Sequence, residues 1–350
     1  MSDPDRPSSD AIEREAARLR QELASVLDSA SWRLTRPLRR LRRSTRPESL
    51  PAVHTSTDAG EWVDPAAQAH PVPVRFTPGH YYSPIPDPAE LFAEPRRSQI
   101  WPAEPRATPG IAWREHEQLA LCRDVLAKQA RLAFREDASD DPTEYTAQNG
   151  QYPALDAWAL EAMIQRQRPR RFIEIGSGFS SLVTARVNRE LLDGSMHFTC
   201  IEPYPRAFLR EGVPGVSDLI VAKVQDVPLE TFASLGAGDI LFVDTSHTVK
   251  TGGDVTWIFH EILPRLAPGV LVHVHDVFLP GDYPVEWVEE GWGWNETYLV
   301  HSFLAFNAGF EIELGIQYLV RTHPDAVAAA FPGWTTAVDK GGAALWFRRV

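Results

Sequence analysis

The run Phe172-Ile173-Glu174-Ile175-Gly176-Ser177-Gly178-Phe179-Ser180-Ser181 decides how the chain is read. An apolar strand ends in an acid, two glycines turn the chain, and serines open a helix. Glycine allows the positive φ of a tight turn and the close approach of a ligand. A helix start exposes N–H groups without intrahelical partners. On its own the run is also compatible with a plain β-α turn. A dinucleotide loop wants Gly-x-Gly-x-x-Gly. Here Ser181 holds the third position, and Glu174 would crowd a pyrophosphate.

Outward from this loop the pattern alternates strands and helices. Helix 154–166 precedes strand 171–175; helix 180–192, strand 197–201, helix 206–211, strand 219–224 and a short helix at 228–234 follow. Strand 240–243, helix 253–265, strand 270–275, helix 296–308, strand 310–320 and a last strand at 343–350 complete the series. Repeated β-α units predict an α/β fold, a Rossmann-like doubly wound sheet with its ligands at the carboxyl ends of the strands. Only a short helical stretch, 324–330, separates the last two strands, so the last strand is expected to run antiparallel.

Glu174 suits a ligand carrying an ammonium group, and S-adenosylmethionine is one. Glu202 ends the second strand, where an acid can accept from both ribose hydroxyls. Asp226 follows the third strand, where a carboxylate can accept from an adenine amino group. Three acids at successive strand ends are hard to read as surface residues. The spacing resembles that of class I S-adenosylmethionine-dependent methyltransferases over residues 150–350. The resemblance implies a seven-stranded sheet with a reversed last strand. It implies that Glu174, Gly176 and Gly178, with Ser177 and Ser181 in the same loop, hold the methionine end. By the same resemblance Glu202 holds the ribose and Asp226 faces the adenine.

Asp244-Thr-Ser-His247 ends the fourth strand and His273-Val-His275-Asp276 the fifth. Asp244 lies in the loop expected to face the sulfonium. Adjacent strand ends would gather Asp244, His247, His275 and Asp276, while His273 reads as a packed core histidine. A sugar hydroxyl must lose its proton to become a nucleophile. A divalent cation on oxygen ligands lowers its pKa, and a histidine can take the proton. The pair of motifs resembles the metal-dependent sugar O-methyltransferases of macrolide tailoring and their cephalosporin-biosynthesis relatives. That resemblance implies His247 as base and Asp244 and Asp276 as ligands of Mg²⁺; His275 joins them here as a candidate ligand, for Mg²⁺ or Mn²⁺. His275 stands where that family has an acid, a donor set that also suits Fe²⁺ or Zn²⁺. The runs Gly79–Asp87, Asp244–His247 and His275–Pro284 further resemble a group of bacterial methyltransferases found with glycan-assembly genes. This extends the likeness from about residue 76 to the end. Trp287, Trp292, Trp294 and Tyr298 either shape a sugar site or pack as a lid over the sheet edge.

The chain has 350 residues and a net charge of −12, which argues against general nucleic-acid binding. Residues 1–50 nevertheless carry 11 Arg against 8 acids. Asp10 and Glu13 can cap a helix whose Ile12, Ala16, Leu19, Leu23 and Val26 form a heptad seam, for self-association as a homo-oligomer or for docking on the body. Residues 31–46 hold seven Arg and no acid, suiting a membrane surface or an acidic partner, or serving as a solvated linker. The run 31–43 resembles segments that stand beside glycosyltransferase domains in glycan-assembly proteins. Residues 51–110 contain 12 of the 29 prolines and read as an extended arm, with Phe76, Tyr81, Tyr82, Ile85 and Leu91 expected to be buried. A helix is expected near 113–135. Three parts are predicted: a basic N-terminal segment 1–46, a Pro-rich arm and helical extension 47–150, and a methyltransferase domain 151–350. Two cysteines without zinc spacing and no long apolar run point to a cytoplasmic location, peripheral at the inner membrane face if the basic run engages it. The expected activity is methyl transfer to a hydroxyl of a sugar or glycan intermediate. The alternatives are an NAD-dependent oxidoreductase or a catalytically idle scaffold in glycan assembly.

Overall fold

The computed structural model of the protein describes residues 75–129, 131–335 and 342–350. The expected N-terminal helix, the basic run and the boundary at residue 46 lie outside them. Three helices come first: α1 (Pro88–Leu91), α2 (Arg96–Ile100) and α3 (Glu115–Asp124). The alternating core follows as α4 (Ala154–Gln167), β1 (Arg171–Ile175), α5 (Phe179–Leu191), β2 (His197–Ile201), α6 (Ala207–Glu211), β3 (Asp218–Ile220), α7 (Leu229–Ala233), β4 (Ile240–Val243), α8 (Asp254–Trp257) and β5 (Leu271–Val274). The chain then forms α9 (Val285–Glu290), α10 (Glu296–Leu304), β6 (Phe310–Gly315), α11 (Ile316–Thr322), α12 (Pro324–Ala330) and β7 (Leu345–Arg349).

The seven strands lie in the order β3-β2-β1-β4-β5-β7-β6. All pairs from β3 to β5 are parallel, and β7 inserts antiparallel between β5 and β6. Strand β4, Ile-Leu-Phe-Val, is buried along its whole length, as a parallel strand covered on both faces must be. Alternation divides the core. Phe172, Phe198, Phe242 and Trp346 pack on one face with apolar residues of α4 and α5. Ile173, Leu241, Val272 and Phe347 pack on the other with Phe232 of α7 and Val255 of α8. Strand order reverses between β1 and β4, which opens a crevice at their carboxyl ends.

Several expectations are corrected. The strand expected at 310–320 ends at Gly315, where a Cβ would stand 2.9 Å from the Trp113 ring. Ile316, Leu319 and Val320 then follow helical spacing and are buried in α11. The third strand stops at Ile220, and Val224–Asp226 turn as a 3₁₀ helix. The helix expected at 253–265 begins as α8, widens into a π turn at Ile258–Ile262 and closes as a 3₁₀ turn around Pro264. The proline-rich stretch holds α1, begun by Pro88 and capped by Asp87 Oδ1 accepting from Ala89 N at 2.9 Å. Tyr81, Tyr82 and Ile85 are exposed. Phe76, His80, Tyr81 and Tyr82 instead contact one another within their own turn.

Trp113, Arg114, Gln118 and Arg131 tie the segment before α4 to the core by specific contacts. Trp113 stacks on Tyr318 at 4.1 Å, and the Arg114 guanidinium meets Glu311 at 2.6 Å. Gln118 Oε1 accepts from Gly315 N, and Arg131 donates to the carbonyls of Leu126, Trp158 and Ala330. Among the described residues no helix is long and apolar enough to cross a membrane.

Candidate active site

The glycine loop sits at the centre of the crevice. Gly176 has φ +83°, and a Cβ there would stand 1.6 Å from the Asp244 carbonyl oxygen. Gly176 N donates to Ile201 O and Asp244 N to Ile175 O, which binds the ends of β1, β2 and β4 into one rim. Two cavities of about 440 and 340 Å³ flank the loop and share Gly176, Glu202, Tyr204 and Asp244. The larger is walled by Lys223, Val224, Gln225 and Gly252. The smaller is walled by Tyr152, Ser177, Gly178 and Arg206.

The expected cofactor residues divide. Gly176, Ser177, Gly178, Glu202 and Asp244 line these cavities. Glu202 accepts from the backbone N–H of Ser177 at 3.2 Å and of Tyr204 at 2.8 Å, and burial raises its carboxyl. Glu174 lies fully buried among its strand neighbours. One oxygen accepts from the Ser180 hydroxyl and the other, Oε2, has no partner. Burial pushes this carboxyl up to about 8 against the hydrogen bonds from Ser180 and Ser181. Ser181 is turned away from the cavities: its hydroxyl accepts from Gly178 N at 3.1 Å and caps α5. Asp226 is exposed on its 3₁₀ turn and lines neither cavity; Gln225 takes the wall position expected for it.

The second cluster begins at Asp244. His247 is buried with φ +53°, and Asp276 also adopts a left-handed φ of +54°. His247 Nε2 lies 3.1 Å from Asp244 Oδ1 and 3.3 Å from Asp276 Oδ2. Its Nδ1 lies 2.9 Å from Glu296 Oε2. The backbone N–H groups of Asn295 and Glu296 both donate to the His247 carbonyl, so the start of α10 grips this residue. Burial alone would lower the His247 pKa. Hydrogen bonds with Asp244 and Glu296, and the charges of Asp276 and Glu296, outweigh it and push the ring up to about 10. Burial works to raise Asp244, but His275 and His247 hold it below the usual carboxylate range.

Two of the three expected ligands, Asp244 and Asp276, come together with the expected base His247. Asp244, His247 and Asp276 each offer a ligand atom, all within 4.8 Å of one another. His275 stands beside this group: its Nε2 lies 3.2 Å from Asp156 Oδ2, and its Nδ1 is buried without a hydrogen-bond partner. Its Nδ1 is 3.5 Å from Asp276 and 3.8 Å from Asp244. Asp156 also accepts from the N–H groups of Ala343 and Ala344, joining α4, β5 and the approach to β7. His273 is a packed core residue, sandwiched between Phe242 at 4.2 Å and Trp346 at 4.4 Å. Burial holds it well below the ordinary histidine pKa. Glu296 and Asp156 were missing from the sequence reading. The only signal for Glu296 was its place at a helix start.

Residues 173–277, from β1 through β5, match a methyltransferase-domain family. An uncharacterized protein of Archaeoglobus fulgidus is 35% identical over 165 residues, 46% of this chain and 73% of that one. The chain is a class I S-adenosylmethionine-dependent methyltransferase. Solved structures similar to this methyltransferase include two O-methyltransferases. That of Streptomyces achromogenes, TomG, solved with S-adenosylmethionine, is 21% identical with a TM-score of 0.37, covering 58% of this chain and 82% of that one. That of Bacillus cereus, solved with S-adenosylhomocysteine, is 16% identical with a TM-score of 0.34, covering 67% and 90%.

The cavities of the methyltransferase fit its cofactor. Ser177 Oγ and Thr245 Oγ1, in the cavity walls, are buried without partners, and Glu174 Oε2, which lines neither cavity, is a further unpaired acceptor beneath the loop's strand. Arg206, half-buried above the Phe179 ring, offers a cation to a carboxylate in the smaller cavity. Glu202 carries a carboxylate into the wall shared by the two cavities.

Proposed function

We propose that this methyltransferase moves a methyl group to a hydroxyl of a sugar or glycan acceptor, with His247 as the proton acceptor and Asp244 and Asp276 holding a divalent cation. The observation that carries the reading is the placement of Asp244. Asp244 lines both cavities and stands in the cluster with His247 and Asp276 at once. S-adenosylmethionine, when bound, supplies an electrophilic methyl on a sulfonium. Glu174, Ser177 and Arg206 would hold its amino-acid end, Glu202 its ribose, and Val224 and Gln225 would wall its base.

His247 Nε2 faces the two carboxylates, and Glu296 accepts the proton of Nδ1. That hydrogen bond selects the tautomer with a free lone pair on Nε2. With both carboxylates bare, the ring keeps its proton. Asp244 and Asp276 would hold a cation, which would supply the counter-charge, leave Nε2 as an acceptor and favour the ionised hydroxyl. The rest is alignment of that oxygen with the S–CH₃ bond. Sugar as the acceptor class is supported by the likeness of Gly79–Asp87 and His275–Pro284 to methyltransferases of glycan-assembly clusters, and by the tryptophans that follow β5.

A second reading rests on the same cluster: His247 Nε2 is close enough to serve as the third cation ligand. Transfer of labelled methyl to cell-extract glycans, together with Mn²⁺ binding followed by electron paramagnetic resonance, separates the two. Under the proposal, thorough chelation abolishes transfer and Mg²⁺ or Mn²⁺ restores it. His247→Ala then keeps Mn²⁺ but loses about 10²–10⁴ in kcat, and Glu296→Gln loses about 10–100-fold. Loss of Mn²⁺ in His247→Ala would favour the ligand role, and full activity after chelation would remove the cation from the account.

A further inference from the structure

A third cavity, of about 390 Å³, lies between the proline-rich arm and the segment after β5. Its size falls within the range of small-molecule sites. The arm contributes Ile85, Leu91 and Trp101, and the segment after β5 contributes Trp287, Trp292, Trp294 and Tyr298. Trp101 Nε1 donates to Tyr283 O at 2.8 Å and ties the two walls together.

The aromatic wall is continuous with the catalytic cluster. The Trp294 ring lies 4.2 Å from the His247 ring, Trp292 meets Trp294 at 4.6 Å, and Trp287 stacks on Trp292 at 4.8 Å. Trp292 and Tyr298 are 45% and 50% exposed, far above what packing beneath a lid would leave them. The charged side chains in the wall are Asp282 and Glu289, and no lysine or arginine lines it among the described residues. Arg106 answers part of the Asp282 charge, at 3.4 Å.

Resting on the proposed sugar chemistry, we propose that this cavity is an acceptor subsite for an uncharged sugar residue next to the one that receives the methyl group. Aromatic faces suit the apolar C–H face of a pyranose, while the exposed Glu289 carboxylate, and the lone pairs of Asp282 beyond those taken by Tyr298 and Arg106, offer acceptors to its hydroxyls. The acidic wall repels phosphate, so neither a nucleotide-sugar diphosphate nor a phospholipid headgroup belongs there. A sugar ring on Trp292 is separated from His247 by Trp294, so it is a neighbour of the reacting ring. The acceptor is therefore an oligosaccharide or a longer glycan.

The test uses the full chain and neutral cell-extract glycans, size-fractionated into monosaccharide and oligosaccharide pools, with Trp292→Ala as the variant. Tryptophan fluorescence reads binding, and labelled methyl transfer reads use. The oligosaccharide pool should give a saturable change that Trp292→Ala weakens at least about tenfold, with affinity for S-adenosylmethionine unchanged. The monosaccharide pool and hexanol, an apolar probe without a sugar, should give little. Hexanol binding as well as the oligosaccharides would make the cavity an apolar site and overturn the inference. So would a Trp292→Ala curve equal to wild type, or no saturable change with any pool. Failure of the wild-type chain to label any glycan counts against the proposed reaction, and the fluorescence result then decides the subsite by itself.

Discussion

A methyl group added at Gly176 would meet the backbone of Asp244, so the residue that turns the loop also lets β1 and β4 close upon each other. Glu174, two residues earlier, is buried, with one oxygen unpaired and its pKa pushed up to about 8. Only the ionised form would hold an ammonium, and such binding would lower its pKa. If Glu174 holds that ammonium, its contribution to S-adenosylmethionine affinity falls as pH drops below about 8 and the carboxyl takes up its proton. The α-amino group of the ligand titrates nearby, at about 8, so Glu174→Gln supplies the reference curve. Calorimetry across pH 6–8.5 should show affinity rising with pH in wild type relative to the variant. At pH 8 the variant should bind about 10–100-fold more weakly, the range for a lost charge-assisted hydrogen bond. Parallel curves would remove Glu174 from the cofactor site.

Elements explain what the sequence could and could not reveal. The loop, Glu202, Asp244 and His247 were legible because each is fixed by its position at a strand end. Ser181 and Asp226 lie in the right segments, yet helix capping claims one and a 3₁₀ turn points the other to solvent. His275 was read from strand alternation, which predicts the face of the sheet but not the partner waiting on it. Asp156 and Glu296 are 119 and 49 residues away from the histidines they hold, beyond any local pattern. β6 was overextended because its apolar run continues into α11 with a change of period. Asp156 carries the largest predicted effect on stability. Asp156→Ala leaves His275 and the N–H groups of Ala343 and Ala344 buried without their acceptor. It should cost about 3–5 kcal/mol, the range for one partner lost from a buried pair. Urea unfolding checks this, and a change below about 1 kcal/mol would show that the three-way tie contributes little.

Across the described part of the molecule, one sheet edge carries the whole site. The reversal between β1 and β4 opens the cofactor cleft, the β4 and β5 ends bring Asp244, His247 and Asp276 beside it, and α10 reaches back with Glu296. The arm and the segment after β5 close an aromatic cavity against the same histidine. The most direct test of methyl transfer to a hydroxyl through His247 is an NMR analysis of the product. The chain is supplied with S-adenosylmethionine carrying a ¹³C-methyl group and with cell-extract glycans. Wild type should give a ¹³C signal correlated through oxygen to a sugar ring carbon, with the rate falling about 10²–10⁴-fold in His247→Ala. A methyl group found on nitrogen or carbon, or an equal rate in the variant, would contradict the account.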